Sequence, residues 1–253
     1  MHLRLISSAR RPRRCQVHSI LVGSAIGRPP RIDAKDKIYH AMNRGNGRLT
    51  IFADDADFLA FEAVLERAAA RFPQVEILAY CLMPNHWHLV LRPREDGVLS
   101  RFMAWLTLTH TKRWHMHQET SGEGHLYQGR FRSFIVQPGE HFVKVCRYVE
   151  RNALRAGLVA KAEHWRWGSL WRWHGGTLDQ TRLLSGWPEP PGRRPPGWVE
   201  RVNRPQSPKE LEVIRLSIAR GRPLGDPAWR DVTIKQYGLE STMRSRGGQR
   251  KVG

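Results

Sequence analysis

Two histidines one residue apart, His86 and His88, are the first residues of this sequence that could do chemistry together. They open the run His86-Trp87-His88-Leu89-Val90-Leu91, which is rich in strand-forming residues. In a strand, side chains at i and i+2 point to the same face. The two imidazoles would then converge, with Trp87 packed on the opposite face, and converging imidazoles are ready metal ligands. The chain has 12 histidines, so the pair taken alone reads more readily as two half-exposed strand residues. A second group lies further on. Tyr148, Asn152 and Arg155 are spaced i, i+4 and i+7 and share one face of a helix, while Phe142, Val145, Cys146 and Val149 take another. A phenol one turn from an amide suits a nucleophile beside a metal-ligating oxygen. Its plain alternative is a surface tyrosine with an asparagine neighbour. Tyrosine is a poor nucleophile at its free pKa of about 10. A divalent cation that polarises the electrophile supplies the help it needs.

Other residues compete for these roles. Tyr127, in Leu126-Tyr127-Gln128-Gly129, is the rival nucleophile, but no ligand-type residue sits one helical turn from it. His110, His115, His117 and His125 invite a zinc reading, which their spacing and the lack of a Cys or carboxylate partner oppose. The three cysteines, Cys15, Cys81 and Cys146, form no Cys-x-x-Cys pair. Neither a disulfide framework nor a zinc ribbon is expected, and a reducing cytosol fits best.

The elements that must position these residues follow from periodicity. Ile38 to Asn43 alternates as a strand. Asp54 or Asp55 caps a helix through Phe58, Leu59, Val64 and Leu65. Val75 to Leu82 is a strand, Met83-Pro84-Asn85 a turn, and His86 to Leu91 the returning strand. Ser100 caps a second helix with Phe102, Met103 and Leu106. Phe131 to Val136 is a fourth strand. A third helix runs from Gly139 to Ala156 and stops at Gly157. The order β-α-β-β-α-β plus a helix predicts an α+β, ferredoxin/RRM-like antiparallel sheet. Residues 1–36 read as a basic arm without regular structure or as an upstream start, 37–174 as the domain, and 175–206 as a Pro/Gly-rich linker. Residues 207–253 read as a short helical, basic accessory region. There, Ser207-Pro208-Lys209-Glu210 is a capping box that opens a helix through Leu211, Ile214 and Ile218. A second short helix is expected over Trp229 to Gln236.

The formal net charge is +19, and the first 31 residues hold seven Arg and no acid. Such a cation excess calls for an anionic partner, nucleic acid before membrane surface. No apolar run approaches the roughly 18 residues of a membrane span. Arg44, Arg113, Arg130, Arg132, Arg151 and Arg155 are candidate phosphate contacts, with Arg244, Arg246, Arg250 and Lys251 in the tail. Of the ten Trp, Trp165, Trp167, Trp171 and Trp173 could stack on bases, though packing explains each.

Four segments carry a family resemblance. They are Tyr39-His40-Ala41-Met42-Asn43-Arg44-Gly45-Asn46, Ala79 to Leu89 around Met83-Pro84-Asn85-His86-Trp87-His88, Gly124 to Phe131, and Arg147-Tyr148-Val149-Glu150-Arg151-Asn152 to Val159. In this order they resemble the REP-associated tyrosine transposases of the HUH superfamily, from about Gly27 to the end. The resemblance implies Tyr148 as nucleophile and a Mg²⁺ or Mn²⁺ site made by His86, His88 and Asn152. It implies cleavage of single-stranded or hairpin DNA at palindromic repeats, leaving a 5′-phosphotyrosine and a free 3′-OH. A bacterial cytoplasmic, DNA-associated monomer or homodimer is expected. Residues 1–26 have no counterpart, and Asn152-Ala153 stands where many relatives have Asn-Pro. Two other readings remain open at this point: a catalytically silent hairpin-DNA or RNA binder, and a metallohydrolase that uses water.

Overall fold

A computed structural model describes residues 32–188 and 192–244. Strands β1 (Ile38–Arg44), β2 (Val75–Met83), β3 (His86–Pro93) and β4 (Arg132–Val136) alternate with helices α1 (Asp55–Arg71), α2 (Val98–His117) and α3 (Glu140–Glu150) in the expected order. The strands make one antiparallel sheet in the order β2-β3-β1-β4. This is the ferredoxin-like arrangement, with the two crossover helices on one side.

Alternation assigns each residue to a side. Tyr39, Ala41, Trp87, Leu89 and Leu91 join α1 and α2 in one core, while Ile38, Val90, Phe134 and Val136 join α3 in the other. In β2 a register shift between Ile77 and Ala79 turns Leu78 and Ala79 to the α3 side together. Both outer edges of the sheet are covered. Leu82 N–H donates to Trp167 O (2.8 Å) beside β2, and Leu224 N–H to Ile135 O (2.9 Å) beside β4. Such cover removes the open edge that would otherwise pair with another chain.

Several local signals act as read. Asp54 caps α1 by accepting from Asp57 N–H at 3.0 Å. The Pro84-Asn85 turn joins β2 to β3 and is pinned from outside, since Pro84 O accepts from Ile51 and Phe52 N–H. The helix after β4 divides at Arg151 into α3 and α4 (Asn152–Arg155), because Arg151 relaxes to ψ −1°. Gly157, at φ +72°, ends it. Gly157 N–H donates to Leu154 O and Leu158 N–H to Ala153 O, the paired bonds of a glycine-terminated helix.

Three expectations change. Ser100 does not cap α2, which begins two residues earlier at Val98. Its orphan N–H groups are met instead by Asp33, whose carboxylate accepts from Leu99 N–H (3.1 Å) and Ser100 N–H (2.6 Å). The end of the expected N-terminal arm is therefore built into the domain; residues 1–31 lie outside those described. Segment 175–206 is not a free linker. It follows α5 (Ser169–Gly175), contains α6 (Leu178–Thr181) and α7 (Trp198–Asn203), and buries Trp187, Trp198 and Val202 in the α3 core. Trp187 Nε1–H donates to Leu78 O at 3.1 Å. Trp187 and Trp198 hold it down on the α3 core. Beyond it, α8 (Pro208–Arg220) has the expected Ser207/Glu210 capping box and Gly221 stop, and α9 (Pro227–Tyr237) starts two residues before the expected Trp229.

Candidate active site

Strand pairing puts His86 and His88 on the α3 side of β3, with their ring centroids 5.0 Å apart at 84°. Trp87 lies on the other side, fully buried against Phe61. Each histidine has Nδ1 occupied. His86 Nδ1 lies 2.6 Å from Asn85 Oδ1, and His88 Nδ1 lies 2.9 Å from His40 Nε2. Asn85 Oδ1 can only accept, so His86 holds its proton on Nδ1 and a lone pair on Nε2. Burial pushes the His86 pKa down to about 4, assisted by the charges of Arg44 and Arg155. It pushes His88 well below the ordinary histidine value and His40 down to about 3. All three rings are therefore neutral at pH 7, the form that ligates metal.

α3 brings the second group over the same face. Tyr148 is buried, with its ring edge-on to His88 at 5.9 Å between centroids and to His40 at 6.4 Å. The stripe Tyr148, Asn152, Arg155 thus faces the sheet rather than solvent. Arg155 binds it together. Its guanidinium lies over the Tyr148 ring, 4.1 Å from the centroid, and donates to Tyr148 O (3.2 Å) and Asn152 Oδ1 (2.6 Å). Asn152 is buried, and its Nδ2 has no partner among the described residues.

Tyr127 is placed elsewhere. It is buried on the α1/α2 side, accepts from Trp87 Nε1–H (3.0 Å), and its Oη pairs with His110 Nδ1 (2.6 Å). Burial raises its phenol pKa far above the ordinary value. It is a core tyrosine, and His110 is its structural partner. Among the described residues no three His, Cys, Asp or Glu side chains cluster as a metal site. What this face offers is two neutral imidazoles and, one helical turn from Tyr148, the buried Asn152 amide.

The cations divide by position. Arg44 is the cross-strand partner of His86, and Arg132 flanks Met42, the partner of His88. Partners across a ladder project from the same face, so both extend the His86/His88 face toward β4. Arg130 and Arg132 are exposed. Arg151 is committed elsewhere, donating to Val202 O (3.0 Å) and Asn203 O at the end of α7. Arg113 is exposed on α2, a helix of the opposite face. Arg244 is exposed; Arg246, Arg250 and Lys251 lie outside the described residues. Trp167 is buried and stacked on Phe58, with centroids 4.8 Å apart at 8°, and Trp171 carries Arg166 over its ring. Packing therefore accounts for both of these tryptophans.

His40 was not marked by sequence reasoning as a site residue. The available signal was its parity: a histidine at a core-facing position of an otherwise apolar strand.

Comparison with known proteins bears on residues 34–152, just under half of the chain, which match the model of the IS200-like transposases. No curated protein matches. Among solved structures, a REP-associated tyrosine transposase bound to a REP hairpin is similar at 17% identity and a TM-score of 0.48, over 58% of this chain and 84% of that one. A candidate transposase from Deinococcus radiodurans R1 is similar at 18% identity and a TM-score of 0.35, over 52% and 93%. The family match begins just before β1 and ends at Asn152, so it takes in the histidine pair and the tyrosine together. Residues 34–152, from β1 through α3 to Asn152, are thus similar to the IS200-like transposases.

Proposed function

We propose that this chain is a DNA transposase that cleaves and rejoins single-stranded DNA through Tyr148, with a divalent cation held by His86, His88 and Asn152. The observation that carries the reading is the approach of the Tyr148 ring to His88 across the α3–β3 contact, with His86 beside it. The donor set fits a cation. Two neutral imidazoles have their Nδ1 atoms occupied, and a buried amide stands one turn from the phenol. Asn152 Oδ1 accepts one bond from Arg155 and keeps a second lone pair. With so few protein ligands, oxygens of the DNA phosphate and water would complete the shell of Mg²⁺ or Mn²⁺. When bound, the cation polarises the phosphate as a Lewis acid.

The chain does the rest. Tyr148 Oη loses its proton to solvent and forms a bond to phosphorus. The P–O3′ bond breaks, and the 3′ oxygen takes a proton from solvent and leaves as the free 3′-OH. The product is a 5′-phosphotyrosine whose bond energy serves rejoining when a 3′-OH attacks it, so no nucleotide cofactor is needed. Arg155 fixes the Tyr148 ring and the Asn152 amide in one arrangement, which lowers the cost of reaching the reactive geometry. Arg44 and Arg132 continue the cationic face along which the strand would run, and the +19 charge supplies non-specific affinity. The sequence motifs support a palindromic hairpin as the target.

A 3′-labelled single-stranded oligonucleotide incubated with the protein and Mn²⁺ tests the reading. A label that migrates with the protein on a denaturing gel, is lost with a chelator, and is lost in His88→Ala is the expected result. Cleavage without any adduct would point to water as the nucleophile. Tight DNA binding with neither cleavage nor adduct would point to a silent binder.

A further inference from the structure

His40 lies outside the ligand set argued above, yet it is fully buried on the His86/His88 face of the sheet. Its ring is closed in by Phe134, with centroids 4.9 Å apart, and its Nδ1 has no partner among the described residues. Buried unpaired polar atoms are uncommon and costly. A valine or phenylalanine would pack here without that cost, so an imidazole at this position calls for a reason. The reason on hand is the 2.9 Å contact from its Nε2 to His88 Nδ1.

Two neutral rings at that distance share one proton in one of two ways. If His40 Nε2–H donates, His88 carries its own proton on Nε2 and has no lone pair left for a cation. If His88 Nδ1–H donates, His88 Nε2 keeps its lone pair. His86 has the same device in simpler form, because its Nδ1 faces an oxygen that can only accept. We propose that His40 is the positioning residue of the histidine pair. Its Nε2 accepts the Nδ1–H of His88, which fixes the ring of His88 and leaves Nε2 as the ligating nitrogen. Metal-bound histidines usually donate their second N–H to an oxygen acceptor; here the acceptor is another imidazole. The inference rests on the ligand role proposed for His88.

Mn²⁺ titration calorimetry on the full chain, without DNA, tests it in wild type, His88→Ala, His40→Phe and His40→Gln. His40→Phe keeps an aromatic ring and removes the acceptor. It should weaken Mn²⁺ binding by roughly 10- to 100-fold. His40→Gln offers an amide oxygen in place of Nε2 and should recover most of the loss. Wild-type affinity in His40→Phe, or a Gln variant as weak as the Phe variant, overturns the proposal. If His40→Phe does not fold, the imidazole ¹⁵N spectrum of the Mg²⁺-loaded wild type decides the matter: a proton on His88 Nδ1 is expected, and one on Nε2 overturns it. Mn²⁺ binding unchanged in His88→Ala would overturn the ligand reading itself, and this inference with it.

Discussion

At the scale of single residues, the site is a set of side chains whose donors and acceptors leave little choice. Asn85 fixes the proton of His86, and Arg155 fixes the oxygen of Asn152. Asn152 is the least essential of the proposed ligands, because it shares its oxygen with a guanidinium. Asn152→Ala should therefore weaken cleavage without abolishing it, and raising Mn²⁺ should restore part of the rate. A variant with no activity at any Mn²⁺ concentration would give Asn152 a larger role than this. The spacing of His86 and His88, and of Tyr148, Asn152 and Arg155, was legible in the sequence because strand and helix periods are strict. His40 was not, since a lone histidine on an apolar strand is usually a satisfied core residue, and its partner His88 becomes visible only when β1 and β3 pair. Arg151 has a structural task that was hidden for a similar reason. Its role is to hold two carbonyls of α7, an element that periodicity did not reveal.

At the scale of elements, alternation in the four strands made the sheet and its two faces readable, and the opposite placement of Trp87 and His88 follows from it. Contacts between distant segments were hidden. Asp33 caps α2 across the fold, where the sequence offers Ser100 as a local cap. The Pro/Gly-rich segment reads as a linker by composition, but Trp198 anchors it on α3 through Glu150. That carboxylate accepts from Trp198 Nε1–H (2.6 Å), Ser169 Oγ–H (2.6 Å) and Arg194 Nη2–H (3.1 Å), and the Glu150 and Arg194 side chains are 0% and 5% exposed. Removing one partner of a buried pair leaves the other charge uncompensated, at a cost of about 3–5 kcal/mol. Glu150→Ala should lose stability on that scale in urea unfolding. Ser169→Ala, which removes one neutral hydrogen bond, should lose about 1 kcal/mol. Equal, small losses in both would mean that α3 does not depend on this anchor.

At the scale of the whole molecule, the proposed function gives the +19 charge and the row of cations beside the histidine pair the task of drawing DNA to the one face of the sheet where the chemistry is proposed. Deleting residues 245–253 removes Arg246, Arg250 and Lys251 and no acid. If these contact phosphates, affinity should fall for every sequence, and the slope of log affinity against log salt should flatten by roughly 0.7 for each lost single-strand contact; an unchanged slope would leave the tail out of binding. The central claim is that Tyr148, and no other tyrosine, carries the DNA. Tyr148→Phe keeps the ring under Arg155 and against His88 and removes only the phenolic oxygen, so the variant should fold and should bind both Mn²⁺ and DNA. Tyr127→Phe removes an equivalent oxygen from the opposite core and serves as the matched control. With a 3′-labelled single strand and Mn²⁺ on a denaturing gel, the account predicts a protein-linked band for wild type and Tyr127→Phe and none for Tyr148→Phe. A protein-linked band of undiminished intensity from Tyr148→Phe would contradict it.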